Sequence, residues 1–157
     1  MNVLENHPID TLQIGQAATY VKTLLQSDIY LFAACSGDIN PVHLDKAFAA
    51  TTPFGEPIAH GMWTGALISA AIATQLPGPG SIYRSQSLSF KFPVKVGDVV
   101  TVTLVVEEIK LRNKLVVLNC EVTNQDGKVV AKGTAEVIAP TEKLVIPAGV
   151  LPDIQIG

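Results

Sequence analysis

Asp38 and His43 stand five residues apart in the segment Gly37-Asp38-Ile39-Asn40-Pro41-Val42-His43. A carboxylate and an imidazole that meet can move protons at neutral pH, since an imidazole titrates near about 6.5. Asn40 precedes proline and is biased to an extended backbone, which brings Asp38 and His43 toward one point. Spacing alone leaves a second reading, in which Asp38 ends a helix-loop turn and His43 is a hydrogen-bonded loop histidine. A second feature is His60-Gly61, placed where an apolar helix begins. The free N–H groups and positive dipole end there could hold an oxyanion, and Gly61 would let a carbonyl oxygen approach the backbone. Gly61 serves tight helix packing equally well.

The elements that position these residues follow from pattern. Ala17 to Leu25 reads as a strand, and Ser27 offers an N-cap to a short helix over Asp28–Cys35 that Gly37 stops. Asp45 caps a second short helix through Ala50. Between Glu56 and Arg84 there is no Lys, Arg, Asp or Glu, and within that stretch Met62–Gln75 reads as a helix closed by Pro77-Gly78-Pro79-Gly80. A helix without a charged face must be covered by protein on most sides. It is too short to cross a bilayer. Strands are expected over Ser81–Phe92, Val99–Ile109, Leu115–Thr123 and Lys128–Ile138, with Asp126-Gly127 marking a hairpin. Four antiparallel strands after the helix and one before it predict an α+β fold, a curved sheet wrapped round one long buried helix.

Composition limits the function classes. The chain has 157 residues, of which 48% are hydrophobic and only 16% charged, so one ordered domain is expected. A net charge of −3 without a basic cluster argues against nucleic acid or an anionic membrane as partner. The low charge also points to apolar surface covered by a second subunit. No signal peptide is read at the start, which makes the cytoplasm the default location. Cys35 and Cys120 are too few for a disulfide framework and are expected to be buried thiols. The Asp38-Ile39-Asn40 start of a calcium loop fails at Val42 and His43, and Gly78-Pro79-Gly80 follows a helix and has Tyr83 where a dinucleotide fingerprint needs its third glycine. His7, His43 and His60 lack the spacing of a zinc site, and neither a Walker loop nor a nucleophile elbow is present.

Three segments together carry a resemblance: Ser36-Gly37-Asp38-Ile39-Asn40-Pro41-Val42-His43-Leu44-Asp45, Pro57-Ile58-Ala59-His60-Gly61-Met62, and Ser87-Leu88-Ser89-Phe90-Lys91-Phe92-Pro93 with Val96-Gly97-Asp98. In order and spacing they resemble the MaoC-like R-specific enoyl-CoA hydratases, from about Ala17 to Pro140. The resemblance implies a hot-dog fold, a homodimer with joined sheets, acyl-CoA as ligand, and neither metal nor cofactor. It implies that Asp38 and His43 are the catalytic pair, that the Gly61 amide is the oxyanion donor, and that Asn40 and Ser69 are supporting residues. Asn40 would shape the loop or bind the catalytic water. Ser69 would hold the active-site network or bond to the carbonyl of Gly65. The flanks, about residues 1–16 and 141–157, fall outside it, as tails that cover a dimer or as disordered ends.

The expected reaction adds water across a trans-2-enoyl-CoA to give an R-3-hydroxyacyl-CoA, with His43 activating water and Asp38 supplying a proton to C2 from an apolar, water-poor pocket, or with the two acting jointly on one water. Trp63 would pack in the core or narrow an acyl tunnel. A hot-dog thioesterase and a non-catalytic acyl-CoA-binding module are the alternatives, because fold does not fix function.

Overall fold

The computed structural model describes residues 2–156. In chain order it contains β1 (Val3–Glu5), β2 (Ala17–Thr23), α1 (Gln26–Ser36), α2 (Pro41–Leu44), α3 (Lys46–Ala50), α4 (Gly61–Thr74), β3 (Ile82–Phe90), β4 (Val99–Lys110), β5 (Leu115–Thr123), β6 (Val129–Ile138) and β7 (Val145–Pro147). The uncharged stretch becomes α4, which buries Trp63, Thr64, Gly65, Leu67, Ile68, Ala71 and Ile72. What covers it is one antiparallel sheet in the order β2-β4-β5-β6-β3. Alternation supplies the inner face: Val100, Val102, Leu104 and Val106 of β4 and Val116, Leu118, Cys120 and Val122 of β5 are all buried in the same core as α4. This is the hot-dog arrangement, a sheet around a central helix.

β3 is the last strand of the sheet and is held on one side only, by β6. The two backbones approach so closely at Gly133 that a Cβ there would lie 1.8 Å from the Ser87 carbonyl oxygen. Ser87 Oγ accepts from the Thr134 amide at 3.0 Å, which fixes the register beside that contact. At the other turn, the loop between β5 and β6 is organised by Asn124 together with the expected Asp126-Gly127. Its Oδ1 accepts from the amides of Asp126 and Lys128 at 3.0 and 3.1 Å.

Two sequence expectations are corrected. α1 begins at Gln26, ahead of Ser27, because the Asp28 carboxylate reaches back to accept from the Leu25 amide at 2.8 Å. A carboxylate in the first turn does there what a capping hydroxyl would have done. Cys35 is exposed, while Cys120 is buried as expected. The flanks also acquire structure, since β1 and β7 pair antiparallel, Val3 opposite Pro147. Buried Asn6 ties them down: its Nδ2 donates to the carbonyls of Pro79 and Glu142, and its Oδ1 accepts from the Leu144 amide. Beyond β7 the chain bares Val150 and Leu151, and Ile156 meets a hollow formed with Tyr30, Ala33 and Leu44. Met1 and Gly157, the outermost residues of the flanks, lie outside the described residues. No described helix is long and apolar enough to cross a membrane.

Burial pushes the Cys120 thiol up to about 11, because the core disfavours the thiolate. At neutral pH a thiol-disulfide reagent is therefore expected to titrate Cys35 in the native protein and Cys120 only after denaturant is added. Fast reaction of both thiols without denaturant would contradict this burial.

Candidate active site

The site is built at the N-terminal end of α4, where three short pieces of chain meet. α1 stops at Gly37, whose positive φ of 80° and amide bond to the Ala33 carbonyl form a left-handed cap. Two side chains then shape the loop: Asp38 Oδ1 accepts from the Asn40 amide, and Asn40 Oδ1 accepts from the Val42 amide at the start of α2. Asn40 is thus the N-cap of α2, and Pro41 occupies its first turn. Asp45 caps α3 as expected, its Oδ1 accepting from the Phe48 amide. The segment before α4 is held by the Ala59 amide donating to Val94 and by an antiparallel bridge between Ile58 and Lys95.

This frame decides the state of the His43 ring. Nδ1 lies 2.8 Å from the carbonyl oxygen of Ile58. A carbonyl only accepts, so Nδ1 carries the proton and Nε2 presents a lone pair. Nε2 lies 4.0 Å from Asp38 Oδ2. That is beyond a direct hydrogen bond and suits two groups that act on a third one between them. His43 is buried at 8% exposure, whereas the Asp38 side chain is 49% exposed. The apolar, water-poor surroundings expected of Asp38 are therefore not supplied by this chain alone, because its loop leaves that carboxylate facing outward.

His43 and Gly61 line a cavity of about 270 Å³ whose apolar walls include Phe54, Ile58, Phe90 and Phe92. Among the described residues nothing accepts from the Gly61 amide, so its N–H is free at the start of α4. A Cβ at Gly61 would meet the Phe90 ring at 3.1 Å, so the ring would have to give by a few tenths of an ångström. Ser69 lies two turns further along α4, half-buried in a neighbouring hollow with Phe32, Met62 and Tyr83. It does not line the cavity of His43, and it makes no bond to the Gly65 carbonyl. Partial desolvation beside that hollow, at a ring that is itself exposed, pushes the Tyr83 hydroxyl up to about 12. Trp63 is a core residue at 5% exposure and does not reach the cavity.

Sequence reasoning did not count His60 as a site side chain. Its ring stacks on that of His43 with centroids 3.9 Å apart, and its Nε2 lies 3.0 Å from the Asp38 carbonyl oxygen. The signal for it lay in the same His60-Gly61 pair, whose imidazole reaches the loop. Ligand atoms of Asp38, His43 and His60 all fall within 4.8 Å of one another, a cluster that chain spacing did not foresee. Two of the four imidazole nitrogens face carbonyl oxygens, and a third, His60 Nδ1, is buried without a partner.

Residues 10–127 match the MaoC like domain family. The chain belongs to the MaoC-like family. Among its relatives in that family, an (R)-specific enoyl-CoA hydratase of Rhodospirillum rubrum is 46% identical over 85% of this chain and 92% of its own length. Another of that name from Aeromonas caviae is 45% identical over 83% of this chain and 97% of its own. Among solved structures, the unliganded R-hydratase PhaJ1 of Pseudomonas aeruginosa superposes with a TM-score of 0.94 at 54% identity, covering 99% of this MaoC-like chain and 100% of that one.

Replacing Gly61 by alanine is expected to press Phe90 out of place and to cost about 1–3 kcal/mol, as overpacking does. The double variant Gly61→Ala/Phe90→Leu should recover most of that loss in urea unfolding. An unchanged midpoint in Gly61→Ala would show that the ring moves freely.

Proposed function

We propose that this MaoC-like chain is an (R)-specific enoyl-CoA hydratase, a hydro-lyase that reversibly adds water to a trans-2-enoyl-CoA and forms an (R)-3-hydroxyacyl-CoA. The observation that carries this reading is the His43 tautomer. Its basic Nε2 is aimed toward the Asp38 carboxylate at 4.0 Å, beside an apolar cavity that also receives the Gly61 amide. Similarity to relatives named for that activity supports it.

In this reading a water molecule touches both groups. His43 Nε2 takes a proton from it while the oxygen bonds to C3, which the conjugated thioester makes electrophilic. The displaced π electrons move onto the thioester oxygen as an enolate, and the Gly61 N–H donates to that oxygen. Preorganised donors of this kind contribute about 2.7–4 kcal/mol. The Asp38 carboxylate stands across the same water from His43, and the proton taken from the water is handed on through the pair to C2, so both groups end as they began. Nothing is oxidised or reduced, and the proposal calls for neither metal nor cofactor. Asn40 acts by shaping the loop as the cap of α2, and Ser69 supports the wall next to the site.

The working unit in this proposal is a homodimer with joined sheets, each chain a single hot-dog domain with flanks at about 1–16 and 141–157. β3 offers an unpaired sheet edge bearing exposed Ile82 and Phe90, and Ile39 beside Asp38 is 73% exposed. A second copy laid there would cover both the apolar side chains and the Asp38 carboxylate. Two free cysteines suit a reducing cytoplasm.

With crotonyl-CoA, loss of the enoyl absorbance is expected together with R-3-hydroxybutyryl-CoA and no free thiol. Thiol release without hydration would move the assignment to a thioesterase, and binding without turnover to an acyl-CoA-binding module. Asp38→Asn and His43→Gln should each lower kcat by roughly 100-fold or more with the fold intact. Near-full activity in either would remove that residue from the chemistry. Light scattering should give twice the mass of one chain, and a monomer at assay concentration would refute the joined sheet.

A further inference from the structure

His60 takes no part in the steps above, yet at 2% exposure it is more deeply buried than either member of the pair. Its Nε2 lies 3.0 Å from the Asp38 carbonyl oxygen, which can only accept, so the His60 proton is on Nε2. Its ring lies over that of His43 at 3.9 Å and 27°, and Phe32 of α1 approaches it at 4.8 Å. Its Nδ1 is buried without a hydrogen-bond partner. Buried polar atoms without partners are uncommon and call for a reason.

We propose that His60 is a positioning residue for the acid/base pair, an inference that rests on the hydratase reading. One ring does two things. Through Nε2 it holds the backbone at Asp38, and through its face it sets the plane in which His43 presents Nε2. The orphaned Nδ1 explains why an imidazole can do both without competing for the proton. The titratable groups facing His60 are Asp38, from the loop after α1, and His43 of α2.

Two variants separate the two contacts. His60→Gln keeps an N–H for the Asp38 carbonyl but loses the ring, and His60→Phe keeps a ring but loses the donor. Each is expected to lower kcat on crotonyl-CoA by about 10-fold to 100-fold with KM changed by less than about threefold, the size of effect that misplaced catalytic groups produce. Imidazole ¹⁵N spectra report the same geometry without turnover. In the wild type they should show His43 protonated on Nδ1 and His60 on Nε2, and in both variants the His43 signal should lose its single-tautomer signature. Wild-type tautomers opposite to these would overturn the proposal even if neither variant folds. Folded variants with wild-type kcat and an unchanged His43 signature would reduce His60 to a space-filling ring. If the wild type fails to hydrate crotonyl-CoA while the variants still disturb the His43 signature, the hydratase reading falls and the positioning role stands.

Discussion

Burying a helix that carries no charge is the constraint on which the rest of this structure depends. α4 has no polar face to offer water, so the chain must surround it. A sheet of five antiparallel strands does this by placing alternate residues inward, and the valines and leucines of β4 and β5 meet the leucine, isoleucines and alanine of α4 in one core. The helix can be enclosed along its length but not at its first turn, where N–H groups without intrahelical partners remain. That unpaired end is where the loop after α1, helix α2 and the segment 57–60 converge.

At this convergence backbone carbonyls control side-chain chemistry. The Ile58 carbonyl decides which His43 nitrogen is basic, and the Asp38 carbonyl does the same for His60. Both belong to irregular chain whose own pairing is limited to a few bonds, such as Ala59 to Val94. Irregular backbone thus has acceptors to spare, whereas helices and ladders use theirs internally. The outcome is two imidazoles of opposite tautomer stacked at the edge of a cavity walled by phenylalanines.

The unequal burial of the pair follows from the same geometry. His43 is turned inward by α2, while Asp38 is spent partly on the Asn40 amide and otherwise faces out. Gly133 lets β3 sit hard against β6 on one edge, leaving the other edge and its apolar side chains open. The second copy of the chain proposed above would cover both the open edge and the outward carboxylate.

Much of this was legible before folding. Residue pattern located β2 to β6 to within two residues at each end, blurred in β2 and clearest in the later strands, because alternation is a local property that burial on one face preserves. Asp45 and Gly37 announced their helix ends by residue type. The cap of α1 was misread as Ser27 because a carboxylate at Asp28 competes for the same amide, and sequence does not say which acceptor wins. The flank strands β1 and β7 were invisible, since three-residue pairings between residues more than a hundred positions apart leave no local pattern. By itself the sequence determined the buried helix and the antiparallel meander, and it marked Asp38, His43 and Gly61 as candidates. Only tertiary structure decided that His60 lies on His43, that Ser69 lines a separate hollow, and which ring nitrogens carry protons. Those depend on where carbonyl oxygens of distant segments come to rest, and side-chain type carries no record of that.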